Sequence, residues 1–476
     1  MRMTTTALWL LAIGMLGGCS KPTHEGSQHK TVVSPSQTKP VHEKGKERSE
    51  LRTKHIAQPH QSRSTPKQEV YPQGRFLSPL SPQVQAAITK LAQKNLELHD
   101  DRFIKVGGSG SSTPLLLSCL DSGPIDLGDW TQLKPSLTRF RAKLPTGHSP
   151  LSRKSLAAKP GGTAQWVLEG EPSPLQAEID VVKPRFALVH YGTNDMHQKG
   201  TYVSAAQDFS RNMSRLLSQL TQQGIVPIVT SITPRDDHPE ANGWIPMFNH
   251  SLRALAQYHK VPYLNIHSAI LSLPNRGRAA DKLHGNVYRQ GSVARPCFFG
   301  EEALRYTYNV RNLLTIRLLD QLLRLVRGET LPSDDGDVLS GQGTQDKPWM
   351  VNGLPFSHRV NTARSTQFVR EKYPACKKHK NVDGPEFEYE FTADSTQRVR
   401  AFVLSDTNVD ADIFLLEKNK KGTDCLSYGA RSLTRILVAG STYRFVIDTR
   451  TKDESPKWGE VSLILYPCGE NDPVCN

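Results

Sequence analysis

The sequence lacks the residue patterns that mark several large functional classes. It has no CxxC motif and no Cys/His cluster with the spacing of a zinc site, which excludes the common structural zinc domains. Its glycine-rich stretch Gly107–Ser112 lacks the Lys-Ser/Thr ending of a phosphate-binding loop. No ligand cluster of a metallohydrolase is present in the sequence, so we expect neither a metal nor another cofactor.

A basic surface of the kind that binds nucleic acid is also missing. The 476 residues carry a formal net charge of +14, yet no basic stripe interleaved with aromatic residues and no nucleic-acid-binding module is recognisable. Much of the basic excess lies in the polar segment 20–75. We interpret the charge as a source of solubility and of adhesion to an anionic envelope, and we expect no nucleic-acid partner.

Hydrophobic residues form a run near the N-terminus. The run Ala7–Leu16 follows Arg2 and is too short to span a membrane in a mature protein, which is typical of a secretory signal. It ends in Leu16-Gly17-Gly18-Cys19, which resembles a bacterial lipobox, whose cysteine is acylated and becomes the new N-terminus. An ordinary signal with a chance cysteine is the alternative, but small residues at both positions before Cys19 favour the lipobox.

This interpretation predicts a signal peptide over residues 1–18, a lipid anchor on Cys19 and a disordered tether over 19–75. Ser20 follows the cysteine, which by resemblance to Gram-negative lipoproteins indicates the outer membrane, on its periplasmic or surface face. The tether histidines have an irregular spacing that a solvated linker explains better than a weak metal site. They are His24, His29, His42, His55 and His60.

Six cysteines remain beside Cys19, and an even number suits disulfide bonds in an exported protein. They are Cys119, Cys297, Cys376, Cys425, Cys468 and Cys475. We expect one bridge between Cys119 and Cys297 in the first domain. The other four cysteines are expected to pair within the second domain, with their connectivity open.

Between residues 76 and 328, the patterns of strand and helix alternate. Predicted strands lie at 103–106, 185–192, 225–232 and 261–266, and predicted helices at 84–96, 202–223, 246–260 and 303–327. Alternation of this kind predicts a parallel sheet with helices on both faces, a three-layer α/β/α sandwich. Functional residues of such sheets collect at the carboxyl ends of the strands.

The periodicity changes to two after the polar stretch 329–347, which we interpret as a linker. Short alternating segments at 387–391, 399–404, 411–417, 442–448 and 461–466 predict a β-sandwich over residues 348–476. Asp410 and Asp412 form a DxD pattern that is compatible with calcium binding. A solvated turn explains so short a pattern better, so no metal is expected there.

Three short segments could together carry chemistry. The first, FIKVGGSGSSTP at 103–114, places serines after a predicted strand. The second, Gly192-Thr193-Asn194-Asp195, can present the Asn194 amide to a developing negative charge while Asp195 holds the loop. The third spaces Asp281 and His284 so that the carboxylate can orient the imidazole. A small-residue turn, a β-turn and a surface loop explain each segment taken alone.

In this order the segments resemble the blocks of the SGNH (GDSL-type) hydrolase family. The resemblance covers residues 76–328 and implies a flavodoxin-like α/β/α fold and an esterase that forms an acyl-serine intermediate. The Gly-Asp-Ser block of the family corresponds to Gly107-Gly108-Ser109, so Ser109 is the candidate nucleophile. His284 is then the base and Asp281 the acid that orients it.

The same resemblance implies an oxyanion hole. Its donors would be the backbone N–H of Ser109, the side chain of Asn194 and the N–H of a glycine in a second block. Gly161 is our first candidate for that glycine, and Gly162 is the alternative. Either glycine would also suit an ordinary flexible turn.

The resemblance departs from the family pattern at Gly108, where an aspartate is usual. The nucleophile is retained, but the loop is expected to be looser. A catalytically degenerate SGNH-fold binding lipoprotein is therefore the alternative function. We expect Ser111 and Ser112 to cap a following helix, with Pro114 in its first turn.

The region from Trp349 to the end resembles the bacterial pre-peptidase C-terminal (PPC) domain through its strand pattern, which implies a β-sandwich attached to a secreted enzyme. The resemblances leave the substrate open. An envelope location favours an ester-bearing substrate such as an O-acetylated polysaccharide. Trp130 and Trp166 are candidates to line a sugar or acyl site, although core packing explains a tryptophan more often.

Overall fold

The computed structural model describes residues 68–197, 200–369, 373, 375–376, 382–419, 422–452, 455–470 and 472–475. The predicted signal peptide, Cys19 and the tether histidines lie outside these residues. All described residues belong to one compact unit, Arg63–Asn476. Among the described helices, none combines the length and the apolar character needed to cross a bilayer.

A four-stranded parallel sheet lies at the centre of the first domain, in the order β2–β3–β4–β5. Its strands are His99–Gly107, Pro184–His190, Val226–Thr230 and Tyr263–Leu264, and β1 (Gln68–Val70) lies outside this sheet. In β3 and β4 nearly every residue is buried, as expected when helices cover both faces of a parallel sheet. The predicted α/β/α architecture is confirmed.

Nine α-helices accompany this sheet in the described part of the chain. They are α1 Pro82–Lys94, α2 Ser109–Ser112, α3 Cys119–Ser122, α4 Lys134–Phe140, α5 Pro174–Val182, α6 Tyr202–Gln222, α7 Pro239–His259, α8 Ile266–Leu271 and α9 Thr307–Val326. In α6, Thr201 and Ser204 form a reciprocal capping box that fixes the first turn. The residues that the sequence predicts on its apolar face are all buried, namely Phe209, Met213, Leu216, Leu217 and Leu220.

Two helix predictions had wrong boundaries. The helix predicted to start at Pro246 starts at Pro239, because the His238 side chain caps it and Pro246 is accommodated inside the helix. The helix predicted from residue 303 starts at Thr307, after a separate 3₁₀ turn over Ala303–Arg305. The Asn286 side chain accepts a hydrogen bond from the Thr307 N–H at 2.9 Å, which satisfies the first turn of α9.

Parts of the predicted tether and linker are ordered together. Strand β1 pairs antiparallel with β8 (Asp337–Leu339), and the Glu69 carboxylate accepts the Gly336 N–H at 2.9 Å. Tyr71 is buried, and its N–H donates to the Gln257 side chain at 2.8 Å. The first domain therefore starts earlier than residue 76, and the stretch 329–347 contributes a strand rather than a free connection.

The C-terminal domain is a β-sandwich, as predicted. One sheet has the order β10–β19–β12–β15 and the other β14–β13–β16–β11–β9, with antiparallel pairing except between β9 and β11. The strands are β9 Trp349–Met350, β10 Phe356–Asn361, β11 Phe387–Thr392, β12 Gln397–Ser405, β13 Ala411–Asn419, β14 Gly422–Gly429, β15 Ser432–Leu437, β16 Thr442–Thr449 and β19 Glu460–Pro467. Two short pairs lie outside these sheets, β6 Arg289–Gln290 with β7 Val293–Ala294 and β17 Thr451–Lys452 with β18 Ser455–Pro456. The inner faces of the two sheets enclose a separate apolar core.

The two domains pack directly against each other. Phe402 of β12 lies 6.0 Å, centroid to centroid, from the ring of Trp244 in α7. Arg359 of β10 is buried and donates to Ser214 of α6 at 3.0 Å, while it pairs with Glu460 at 2.9 Å. Apolar contact and a buried arginine with polar partners in both domains are features of a fixed interface rather than of a loose tandem arrangement.

The six cysteines in the described part of the chain all form disulfides. The predicted Cys119–Cys297 bridge is confirmed, and the others are Cys376–Cys425 and Cys468–Cys475. The first bridge joins residues 178 positions apart, so its closure is expected to stabilise the fold by about 5 kcal/mol through the entropy of the unfolded chain.

Candidate active site

The stretch that contains Ser109 forms a tight turn at the carboxyl end of β2. Ser109 is the first residue of α2, and Gly107 precedes the turn with its N–H bonded to the Ala157 carbonyl at 3.1 Å. A Cβ atom at Gly107 would lie 2.5 Å from the His190 carbonyl oxygen, so only glycine fits there. The close approach of β2 and β3 therefore fixes where the serine stands.

The neighbouring serines do not have the predicted capping role. Ser111 is buried inside α2, and the Ser112 hydroxyl donates back to the Ser109 carbonyl at 3.3 Å. The helix ends at Ser112, and no helix starts at Pro114. The serines lie within a single helical turn, and the backbone of Gly108, not a hydroxyl, occupies its N-cap.

The structure brings the three predicted catalytic side chains together. His284 Nε2 lies 2.9 Å from Ser109 Oγ, and His284 Nδ1 lies 2.6 Å from an Asp281 carboxylate oxygen. The other Asp281 oxygen accepts the backbone N–H groups of Leu283 and His284, at 3.1 and 2.9 Å. One nitrogen of the imidazole thus faces the hydroxyl while the other is held by an acid.

The charge of Asp281 is favoured by these contacts. Partial burial opposes its ionisation, but hydrogen bonds from the His284 side chain and from two backbone N–H groups outweigh burial and lower the pKa of Asp281 below its usual value. The carboxylate is therefore ionised at neutral pH, as is needed to stabilise a protonated imidazole.

Asn194 lies opposite the serine, on the loop after β3. Its Nδ2 donates one hydrogen to the Gly162 carbonyl at 2.9 Å, which leaves the second hydrogen available to the cleft. Gly192 has φ of +120°, and a Cβ atom there would lie 2.2 Å from Ile232, so the loop requires glycine. A recess bounded by Gly108, Ser109, Gly162 and Asn194 lies between these groups.

Of the two glycines considered for the oxyanion hole, Gly162 borders this recess, whereas Gly161, our first candidate, does not. No heavy atom lies within 4 Å of a Cβ built on Gly161, whose φ is +70°, so that residue forms the outer corner of the turn. The Gly162 N–H donates within the turn to the Lys159 carbonyl at 3.1 Å. Of the predicted oxyanion donors, the Ser109 N–H and the Asn194 amide therefore remain candidates, and both residues line the recess.

The comparison with protein families agrees with this geometry. Residues 130–287 match the GDSL-like lipase/acylhydrolase family. The chain contains a GDSL-like lipase/acylhydrolase domain. The matched range includes Gly162, Asn194, Asp281 and His284 but starts beyond Ser109, so the serine is placed in the site by its 2.9 Å contact with His284.

Several solved structures are similar to this chain at low identity. A GDSL-like lipase from Bacteroides thetaiotaomicron is 15% identical, with 50% of this chain and 98% of that chain covered and a TM-score of 0.28. A two-domain esterase active on acetylated mannans is 11% identical, with 85% and 98% covered and a TM-score of 0.28. The pre-peptidase C-terminal domain of a Bacillus anthracis collagenase is 12% identical, with 24% and 91% covered and a TM-score of 0.17. No curated protein matches the sequence.

Gly108, the departure from the family pattern, has a structural role in the GDSL-like domain. A Cβ atom at this position would lie 3.1 Å from the Asn194 amide nitrogen. That distance is tighter than most real Cβ contacts, so an aspartate would displace the Asn194 side chain or the loop. Glycine therefore leaves room for Asn194 beside Ser109.

Buried polar groups that the sequence did not reveal form the floor of the cleft. Arg311 of α9 donates to the Gly110 carbonyl at 2.8 Å and to His190 Nδ1 at 3.1 Å. Burial, aided by the charge of Arg311, holds the pKa of His190 well below its usual value, so this imidazole is neutral. Arg311 links α9 to the helix of the serine.

The two tryptophans singled out from the sequence differ in position. Trp166 packs against Gly162, with Lys159 Nζ 4.1 Å from the centre of its ring, so it flanks the cleft. Trp130 lies under Arg317 at 4.2 Å and does not border either recess beside Ser109. Only Trp166 remains a candidate to contact a substrate.

No metal site is found among the residues that the structure describes. Arg450 pairs with both acids of the DxD pattern, at 3.0 Å from Asp410 and 2.6 Å from Asp412. An arginine thus supplies the positive charge that a calcium ion would have supplied.

The buried carboxylate of Asp195 holds the loops that carry Gly162 and Asn194, and it should make the stability of the fold depend on pH. This carboxylate accepts the N–H groups of Ala164 and Gly192, at 2.8 and 2.9 Å, and joins the two loops. Burial outweighs these bonds and raises the pKa from 3.8 to about 6. Folding thus favours the protonated form of Asp195. Its contribution to the free energy of unfolding, about 3 kcal/mol, is fully present below about pH 4 and is lost as the pH rises through about 6.

We expect Asp195→Asn to reduce this dependence. The difference in unfolding free energy between wild type and variant should change by about 3 kcal/mol between pH 4 and 7, in favour of the variant at the higher pH. Urea unfolding of both proteins across this range measures it, and parallel curves for the two proteins would contradict it.

Proposed function

We propose that the GDSL-like domain hydrolyses carboxylic esters through an acyl intermediate on Ser109. The observation that carries this proposal is the continuous chain of contacts from Ser109 through His284 to Asp281, at 2.9 and 2.6 Å. A serine hydroxyl is a weak nucleophile unless a base accepts its proton. These distances are within the range in which a proton can be transferred.

The reaction would proceed in two halves. His284 accepts the Ser109 proton as Oγ attacks the ester carbonyl, and Asp281 stabilises the resulting imidazolium. His284 then donates that proton to the leaving alcohol as the ester C–O bond breaks, which leaves an acyl-serine. In the second half a water loses a proton to His284 and attacks the acyl carbon. His284 then donates this proton to Ser109 Oγ as the bond between Oγ and the acyl carbon breaks, which releases the carboxylic acid and restores the serine.

The negative charge that develops on the carbonyl oxygen would be stabilised beside Gly108. The Ser109 N–H and the Asn194 amide face this point. The Asn194 side chain is fixed by its bond to Gly162, and its loop is fixed by Asp195, so the donor is positioned before substrate binds. Such preorganised donors are among the largest contributions to catalysis of acyl transfer.

The acyl group is proposed to be short. The recess beside Asn194 has a volume of about 20 Å³, and a second recess bounded by His284, Tyr308 and Arg311 has a volume of about 40 Å³. Since roughly 10–15 Å³ of such volume admits one water-sized group, these recesses admit only a few non-hydrogen atoms. Recesses of this size suit an acetyl group better than a long aliphatic chain.

The alcohol part of the substrate is proposed to be a glycan, so that the ester is an O-acetyl group on a polysaccharide. Half-buried aromatic rings lie near the cleft and offer amphipathic surfaces to sugar rings. Trp166 flanks Gly162. Tyr288 and Tyr306, with ring centres 5.6 Å apart, follow the His284 loop and precede α9, respectively.

A series of acyl esters tests this function. Against 4-nitrophenyl acetate, butyrate and octanoate, kcat/KM should fall by roughly a hundredfold from acetate to octanoate because a long chain does not fit. Acetate release from an O-acetylated polysaccharide tests whether the substrate is a glycan ester. The chemically deacetylated polymer is the control. Equal rates with octanoate would reject the short acyl group, and inactivity towards every ester would reject the function.

The cellular position is also part of our proposal, namely an envelope lipoprotein anchored through Cys19. Residue 68, the first described residue, belongs to β1, which pairs with the segment after α9. Glu69 of β1 accepts a hydrogen bond from the Ser81 hydroxyl at the start of α1, and none of residues 68–75 lines either recess beside Ser109. An anchor would therefore leave the cleft open, and the mass of the mature N-terminal peptide tests whether Cys19 is acylated.

A further inference from the structure

The loop that carries Asp281 and His284 is exposed and short. Residues 278 and 285 pair across its base, and the Ala279 N–H donates to the His284 carbonyl at 2.9 Å. The side chains of His284 and Asp281 are 40% and 51% exposed. A loop at the surface with internal bonds alone would not hold an imidazole within hydrogen-bond distance of a hydroxyl on another element.

Arg278 supplies the connection between this loop and the body of the domain. Its side chain is buried, and Nη1 lies 2.9 Å from the Leu283 carbonyl, next to His284. The same nitrogen lies 2.5 Å from the Pro234 carbonyl and 3.3 Å from the Thr233 hydroxyl. Both of these residues belong to the loop after β4, so one guanidinium joins two loops.

Two of the residues that Arg278 contacts border the cleft. Thr233 borders the same recess as Ser109 and His284, and Leu283 borders it as well. A further bond joins the two loops, from the Asp236 N–H to the Lys282 carbonyl at 2.7 Å. The catalytic loop is thus held on the side that faces the serine.

We propose that Arg278 is a positioning residue that sets His284 against Ser109, a role that rests on the proposed esterase function. The guanidinium contacts neither the hydroxyl nor the carboxylate of the catalytic side chains. It acts by holding the backbone of Leu283, and thereby the direction from which the imidazole approaches Ser109. A displacement of about 1 Å at such a site costs roughly a hundredfold in rate.

The reach of the arginine side chain, and not its charge alone, is the feature required. Burial lowers the pKa of Arg278 to about 10, so the group stays cationic at neutral pH. Lysine retains the charge, but its ammonium ends a shorter side chain and it lacks the Nε–H that donates to the Arg276 carbonyl at 3.2 Å. Arg278→Lys therefore tests the positioning role, and Arg278→Ala tests the loss of the whole side chain.

Arg185 provides a matched control. It is also buried and also holds backbone carbonyls, with Nη1 3.1 Å from Gly224 and Nη2 3.1 Å from Asn95. It lies at the start of β3, at the edge of the sheet opposite to the cleft. Arg185→Lys is expected to cost stability without changing kcat.

The experiment measures kcat, KM and thermal stability with a 4-nitrophenyl ester for the full chain and its variants. Arg278→Lys should lower kcat by roughly thirtyfold and Arg278→Ala by roughly a hundredfold, with KM within about twofold. Millimolar guanidinium should restore part of the activity of Arg278→Ala and leave the activity of Arg185→Lys unchanged. If Arg278→Lys and Arg185→Lys have the same kcat, the proposal is overturned.

Hydrogen exchange separates this proposal from the esterase proposal. Peptides that cover 279–286 should exchange faster in Arg278→Lys than in the wild type, while Arg185→Lys leaves them unchanged. If the wild type has no ester hydrolysis, the proposed function fails and the exchange result alone decides whether Arg278 holds the loop. Unchanged exchange in Arg278→Lys would overturn the proposal independently of activity.

Discussion

Ser109→Ala should lower kcat/KM for ester hydrolysis by about a thousandfold or more and abolish reaction with a fluorophosphonate probe. The hydroxyl oxygen is the atom that bonds to the acyl carbon, and alanine leaves only transition-state binding by the oxyanion donors. His284→Ala should have an effect of similar size, because the hydroxyl then lacks the base 2.9 Å away. The two losses should not add, since the residues act as one unit.

Mass spectrometry of the labelled peptide measures the first prediction. Ser112→Ala is the matched control, because this serine lies in the same helical turn and its hydroxyl faces the Ser109 carbonyl instead of the imidazole. It should keep both labelling and turnover. An adduct on any residue other than Ser109, or turnover retained in Ser109→Ala, would contradict the assignment of the nucleophile.

Asn194→Ala should lower kcat by about 100- to 1,000-fold with little change in KM. Its amide faces the point where the carbonyl oxygen becomes negative, so it contributes more to the transition state than to substrate binding. The loop itself should persist, because Gly192 and Asp195 hold it through the backbone. Steady-state kinetics on a short acyl ester checks the separation of kcat from KM.

Asn95→Ala is the control for this prediction. Asn95 also donates its amide to a backbone carbonyl, that of Gln223 at 3.3 Å, but it lies at the end of α1, away from the cleft. Its loss should leave kcat unchanged. If Asn194→Ala raises KM and keeps kcat, Asn194 binds substrate instead of stabilising the oxyanion.

Much of the architecture was predictable because its signals are local. In β3, consecutive apolar residues indicate burial on both faces of a parallel sheet, and in α6 the apolar spacing of three and four identifies the face that packs. The C-terminal strands likewise follow from alternation. Boundaries were less predictable where a side chain from elsewhere decides them, as Asn286 does at the start of α9.

The order of the candidate site residues along the chain was also predictable, since Ser109, Asn194 and His284 each follow a recognisable short pattern. The choice between Gly161 and Gly162 was not, because it depends on which side of a turn faces Asn194. Arg278 and Arg311 carry no sequence signal, since an arginine on a helix or in a loop is usually solvated. Their roles depend on the carbonyl groups that they meet in the folded chain.

Most helices and strands of this protein follow from local patterns, because periodicity, capping and turn chemistry depend on residues a few positions apart. The contacts that make a site, such as that between Ser109 and His284, 175 positions apart, follow only from the folded chain. The tertiary structure likewise decided the pairing of β1 with β8 and the burial of Arg278. These depend on how layers pack, and packing distances between remote residues are not encoded in any local pattern.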